Sequence, residues 1–317
     1  MSKGNSREHH WWPVGLQTYW ADKNEEVSWI DPEGNIEKKK AKNRKIARKS
    51  HGHTIFRGNV WETNFEHEFS SADDRVHDTI EAIAKLRPPG IFDLFRMIKM
   101  ALKRGRHLLN VCKFYRMDES IHRSLLLILY SLLIRSPGNR FRYESYSRFM
   151  GRPPDEEVGK ANMRQNYLAA KKLCETGRLS NQFFVIIHSR FKKFVFGDGS
   201  LDWLTGSLIT ERVDGRALIP LTPNICIYFC TPRSMRPAAN CASFSAAPWM
   251  VDRINDIVQI YAGEKIFFLG EPPEINDSFR QRRFLEHKEK TDYLIDMLDE
   301  VAGIRKQGNV FAFTASV

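Results

Sequence analysis

The sequence predicts an α+β fold in which a helical middle region packs on a mainly antiparallel sheet built from N- and C-terminal strands. Three observations lead there. Apolar residues recur at helical spacing through much of residues 70–177, while runs rich in β-branched and aromatic side chains follow at 183–230. Strand-like segments also flank the helical stretch, at 26–38 before it and 265–269 after it. With 317 residues, 42% of them hydrophobic, the chain can bury a sizeable core. No internal repeat and no Gly/Ser linker interrupts it, so residues 1–275 read as a single α+β domain with a basic loop at 38–49. Residues 276–317 read as a charged C-terminal helix and tail.

Taken in order, Glu26-Val27-Ser28-Trp29-Ile30 and Asn35-Ile36-Glu37-Lys38 are strands joined across Asp31-Pro32-Glu33-Gly34, whose Pro and Gly suit a turn. Val76, Ile80, Ile83 and Ala84 give 70–86 a helical face, ended by Pro88-Pro89-Gly90. A second helix at 92–109 turns Leu94, Phe95, Ile98 and Leu102 inward. Residues 119–135 hold the longest apolar run, too short to cross a bilayer and best read as a buried helix closed by Ser136-Pro137-Gly138. A longer polar helix spans 155–177. Strands follow at 183–187, 194–196, 217–221 and 225–230. A helix at 249–262, a strand at 265–269 and a surface or partner helix at 279–301 complete the chain.

The net charge of +11 favours a polyanionic partner, and 38–49 carries eight Lys or Arg residues with no acidic one. This run is either a solvated loop or a phosphate-contacting segment, with Lys39, Lys40, Lys42 and Arg44 as nucleic-acid contacts. Five cysteines without a short-loop framework fit reduced thiols and a cytoplasmic setting. Residues 1–10 lack the apolar stretch of a cleavable secretion signal. No Walker loop, Gly-x-Ser-x-Gly elbow or Rossmann glycine fingerprint is present, which argues against ATP hydrolysis, serine-esterase and dinucleotide redox chemistry.

The opening His9-His10-Trp11-Trp12-Pro13 places two imidazoles among aromatics too costly to expose. Histidine both moves protons near neutral pH and binds transition metals. His9 and His10, as neighbours, point apart; His51 and His53, in an extended segment, share a face and form a candidate site for a divalent metal. Asp198, at a strand end beside glycines, is the candidate catalytic carboxylate with His9 or His10, and Asp202 stands in reserve. Arg135 either forks onto a phosphate or caps its helix. Asn255 binds a ligand or an orphan backbone group. Glu66 and Glu68, beside His67, suit a helix start or supply a second carboxylate. The histidines have a structural reading too, as hydrogen-bonded members of a packed N-terminal motif. Cys226 and Cys230 lack a second pair at ligand spacing and read as core.

Several separated motifs resemble a known family: the opening His9-His10-x-x-Pro13 with the leucine that follows it, Leu16, then Phe65-Glu66-x-x-Phe69, Arg135-Ser136-Pro137, Phe196-x-Asp198, Pro220-Leu221-Thr222-Pro223 and Ile254-Asn255. In this order, across residues 9–269, they are similar to the bacterial family called domain of unknown function 4238. Here the family's Thr/Ser-Ser-Asp strand end reads Phe196-Gly197-Asp198-Gly199, and the basic run with His51-Gly52-His53 is an elaboration. The resemblance implies a bacterial, cytoplasmic protein, and the occurrence of some members among phage-defence genes suits an effector acting on nucleic acid. Two functions follow as expectations: a phosphodiesterase or nuclease centred on histidine and Asp198, or a non-catalytic nucleic-acid-binding or protein-interaction protein whose histidines are structural.

Overall fold

The computed structural model describes residues 8–41, 46–57, 60–87, 95, 98, 108–202, 215–231, 239–282 and 292–304. Its elements run β1 (Glu8–His10), α1 (Val14–Gln17), β2 (Glu26–Ile30), β3 (Ile36–Lys40), β4 (Arg48–Ser50), β5 (Thr54–Arg57), β6 (Val60–Asn64), α2 (Ser70–Asp73) and α3 (Val76–Lys85). Then come β7 (Lys113–Tyr115), α4 (Glu119–Arg135), α5 (Pro137–Glu144), α6 (Glu156–Glu175), β8 (Phe183–His188), β9 (Phe196–Gly197), β10 (Leu201–Asp202), β11 (Arg216–Thr222) and β12 (Ile225–Cys230). The last are β13 (Cys241–Ser245), α7 (Pro248–Tyr261), β14 (Ile266–Phe268), α8 (Asp277–Arg280) and α9 (Tyr293–Ala302). The fold is α+β, as the sequence predicts.

The larger sheet has the order β10-β11-β12-β8-β13-β7. All its pairs are antiparallel except β13, which runs parallel to β8. Both β8 and β12 are apolar without alternation because both faces are covered. Phe229 meets Tyr130 of α4, and Phe184, opposite it in register, meets His122 of the same helix. Tyr228, the next residue, faces the other way and donates its hydroxyl to Asp299 of α9. Leu294 and Leu298 of α9 are likewise buried, so this helix belongs to the chain's own core. Of the helix predicted over 279–301, residues 283–291 lie outside the described residues, and the part described as α9 packs its apolar face on the sheet.

The smaller sheet, β3-β2-β14-β9, joins the two ends of the sequence as predicted, with β14 between β2 and β9. Trp12 lies 4.6 Å from Phe196 and 4.5 Å from Phe267, ring centre to ring centre, packing the opening motif on this sheet.

Helix α4 begins where Asp118 accepts the amide of Ser120, and it is buried along nearly its whole length. Ser136 ends it and then caps α5, which Pro137 opens at the first helical position. The Ser-Pro-Gly stop signal therefore also starts a helix the sequence reading did not include. Other differences are local. Residues 70–86 form two helices divided at Asp74 and Arg75. The basic run is not a single loop: it supplies Lys38, Lys39 and Lys40 of β3 and Arg48 and Lys49 of β4, while residues 42–45 lie outside the described residues. Most of the helix expected at 92–109 also lies outside them, but Phe95 and Ile98 are described, and both are exposed rather than turned inward. Strand β13, built from small residues, carries no β-rich signal and is recruited by pairing on both sides.

All five cysteines are free, and burial pushes the thiols of Cys226 and Cys230 up, consistent with packing. Among the described residues no helix is long and apolar enough to cross a membrane.

Candidate functional site

Two short strand pairings assemble the histidines. β1 pairs with β4, setting His9 opposite Lys49 and His10 opposite Arg48. Alternation along β1 buries the His9 side chain and leaves His10 half-buried. After β4 the chain turns through His51, whose φ of 52° is left-handed, and Gly52, where a Cβ would stand 3.2 Å from the Arg140 Nη2 and from the Lys49 carbonyl. His53 then enters the interior. The β5–β6 hairpin brings the chain back with Asn64 opposite Thr54, and the Phe65 amide donates to the His53 carbonyl at 2.9 Å. Glu66 thereby arrives beside His53.

The resulting cluster is tightly connected. The backbone N–H of His53 donates to Nδ1 of His9 at 2.6 Å, and the two rings lie parallel with centres 5.2 Å apart. His53 Nδ1 is bonded to Glu66 Oε2. Asn64 places Nδ2 3.2 Å from His9 Nε2 and accepts the Glu66 amide at 3.0 Å, while the His10 amide donates to the other Glu66 oxygen at 3.4 Å. One ligand atom from each of His9, His53 and Glu66 lies within 4.8 Å of the others. His9 and His53 are only 1% and 2% exposed, but the Glu66 side chain is 30% exposed, so the carboxylate is the part that reaches solvent. Phe65 and Phe69 form an apolar wall against the His53 ring.

Burial is the main influence on His53 and lowers it to about 4, keeping the ring neutral at pH 7. Burial alone would raise Glu66, but the hydrogen bond and charge of His53, with Arg135 and His9, outweigh it and hold the carboxyl at about 2. An ionised Glu66 only accepts, so neutral His53 carries its proton on Nδ1 and its lone pair on Nε2. Beneath the cluster, Arg135 is fully buried and forks onto Asp73 at 2.6 and 3.1 Å, reaches the His10 carbonyl at 3.4 Å and stands 4.6 Å over Phe69. Arg140 donates to the Gly52 carbonyl. Two buried guanidiniums thus fasten the backbone that carries the histidines.

Of the residues singled out in the sequence, His9 and His53 come together. His51 does not join them: the left-handed turn breaks the extended geometry that would align 51 with 53, and its ring packs edge-on against Phe56. His10 turns its Nδ1 to the Ile46 carbonyl at 3.2 Å. Asp198 is buried and spends its two oxygens on the amides of Gly263 and Glu264, at 2.8 and 2.9 Å, binding the loop between α7 and β14. Asp202 accepts from Asn139 at 2.5 Å. Arg135, read as a phosphate fork or a helix cap, forks onto the internal carboxylate of Asp73 and donates Nε to the Ser131 carbonyl of its own helix at 3.3 Å. Asn255 bridges the Val195 amide and the Lys193 carbonyl, each at 3.0 Å, which is the backbone role foreseen for it. Lys39 and Lys40 are exposed on β3, Lys39 lying 3.8 Å from Glu37; Lys42 and Arg44 fall outside the described residues. The carboxylate that meets the histidines is Glu66, which the sequence offered only as a secondary candidate. Its signal was the spacing from His53, hairpin length with Asn64 two residues before.

Compared with protein-family models, curated proteins and solved structures, the chain matches none.

Proposed function

We propose that this chain is a nucleic-acid-directed phosphodiesterase whose reacting centre is His53 with Glu66, and not a histidine with Asp198. The observation that carries this reading is the β1–β4 register, which sets Arg48 and Lys49, the exposed end of the basic run, directly beside the strand bearing His9 and His10. Phosphate attraction and proton-moving groups then share one face. Arg48 and Lys49 also approach Glu8 and Glu156, at 3.4 and 3.3 Å, so part of their charge is balanced in the free protein.

In this reading Glu66 holds the Nδ1 proton of His53, and Nε2 accepts a proton from the attacking water. The water oxygen bonds phosphorus, the P–O ester bond breaks, and the departing oxygen takes a proton from solvent. Glu66 stabilises the imidazolium that forms. The resemblance to domain of unknown function 4238 supports a bacterial, cytoplasmic setting and a place among phage-defence effectors.

Labelled single- and double-stranded DNA and RNA oligonucleotides, incubated with wild type, Glu66→Gln, His53→Ala and Asp198→Asn, test the assignment. Cleavage by wild type, a loss of about 100-fold or more in the first two variants, and activity per folded molecule retained in Asp198→Asn support it. No cleavage of any substrate by wild type, or equal cleavage by Glu66→Gln, overturns it. Salt-sensitive oligonucleotide binding without cleavage then makes the protein a nucleic-acid binder with a structural histidine motif.

A further inference from the structure

We infer that His9, His53 and Glu66 form a binding site for one divalent transition-metal ion, zinc being the species their donor set suits best. Such an ion can bind whether or not the cluster hydrolyses a phosphodiester. Two imidazoles and one carboxylate are the protein ligands of a recurrent open zinc site, and the same set also serves iron(II). Calcium and magnesium prefer all-oxygen surroundings, which this cluster lacks.

Three features favour the assignment. The ligand atoms already lie within 4.8 Å of one another, so coordination requires side-chain adjustment and not refolding. They come from three places in the sequence, β1, the turn after β4 and the residue after Phe65, each fixed independently by strand pairing or hairpin closure. The surroundings also hold the ligands in place: Asn64 contacts His9 and the Glu66 amide, the His10 amide contacts Glu66, and Arg135 and Arg140 grip the adjoining carbonyls.

The positive charge of Arg135 is opposed by Asp73 at 2.6 Å, and Glu66 supplies the negative ligand. Metal entry replaces the His53–Glu66 hydrogen bond, and where His9 binds through Nδ1, it also replaces the bond from the His53 amide. Each ligating ring nitrogen must present its lone pair, so where His53 binds through Nδ1 its one ring proton moves to Nε2. The partly exposed Glu66 is the entry side, and positions left open by three protein ligands remain for water or a phosphate oxygen.

The test is titration of chelator-stripped full-length protein with zinc chloride, followed by calorimetry and by elemental analysis after desalting. Cobalt(II) substitution adds a visible spectrum that reports coordination geometry. The expected result is about one zinc per chain, with affinity lowered at least tenfold in Glu66→Gln and His53→Ala and unchanged in the control His67→Ala, whose ring is exposed. Glu66→Gln keeps shape and hydrogen-bonding capacity, so it decides the matter if His9→Ala or His53→Ala fails to fold by circular dichroism. Absence of stoichiometric zinc in wild type, or equal uptake by Glu66→Gln, overturns the site. Zinc uptake without oligonucleotide cleavage leaves the metal site standing and removes the phosphodiesterase reading; cleavage by a wild type that takes up no stoichiometric zinc does the reverse.

Discussion

The histidine cluster and the Asp198 corner both bury an ionisable carboxylate or imidazole, but they satisfy it differently. Around Asp198 the partners are backbone amides of Gly263 and Glu264, which cannot change protonation state. Around Glu66 the partners include a second titratable side chain and, within ligand distance, a third. Backbone partners make a buried acid into a fastener. Side-chain partners leave protons and lone pairs that can be exchanged, so the difference between the two regions separates architecture from candidate chemistry.

The largest expected effect lies under the histidine cluster. Asp73→Ala strands the fully buried Arg135 charge and should cost about 3–5 kcal/mol in urea unfolding. A loss below about 1 kcal/mol would mean that the guanidinium is satisfied without its carboxylate, and the support assigned to it would have to be withdrawn.

The Asp198 corner is broken by pH. Burial raises Asp198 to about 7, with Glu264 adding to the rise and the accepted amides opposing it. Between the ordinary carboxylate range and pH 7 the native state therefore holds a proton that the unfolded chain has released. Stability should fall as pH rises through that window, by on the order of a few kcal/mol, and level off above it. His188 gives the opposite limb: burial, with Arg87 and Arg190, lowers it to about 3, so stability falls as pH drops from its ordinary value of 6.5. Urea midpoints of wild type and Asp198→Asn at pH 5 and 8 compare the slopes. The same slope in both proteins would show that Asp198 does not titrate in this range.

Gly197→Ala sharpens the comparison from the steric side. A Cβ there would meet the Gly199 carbonyl at 2.9 Å and Ala262 and Val258 at 3.1 Å, so a loss of about 1–3 kcal/mol is expected in the same assay. Oligonucleotide cleavage per folded molecule should not change; a selective loss of cleavage would return the Asp198 corner to the reaction. The smallest stability effect, within about 0.5 kcal/mol, is expected for the surface pair Lys39→Glu with Lys40→Glu. If β3 contacts phosphate, the salt dependence of oligonucleotide binding should flatten by about one ion per substitution. An unchanged slope would remove these two lysines from the interface.

Much of the framework is legible locally. The apolar run in α4, the turn residues between β2 and β3, and the apolar strands β8 and β12 each carry their signal within a few neighbouring residues. The site depends on information of another kind. His51 and His53 look equivalent in an extended chain, and only a left-handed residue at 51, which no side chain there announces, separates them. Asp198 has the sequence setting of a catalytic acid, beside glycines at a strand end, yet Gly197 is there because α7 and its following residue crowd the backbone. Glu66 is selected by hairpin register and β1–β4 pairing, contacts that composition and periodicity do not encode.

The aromatic seam between Trp12, Phe196 and Phe267 has a consequence for biosynthesis. Because β2 has β3 on one side and β14 on the other, the smaller sheet beyond the β2–β3 hairpin must wait until Phe268 has left the ribosome. Until then the nascent chain carries uncovered tryptophans at its leading end, a natural substrate for holding chaperones. Messages truncated before β14 should therefore yield aggregating fragments and no folded protein.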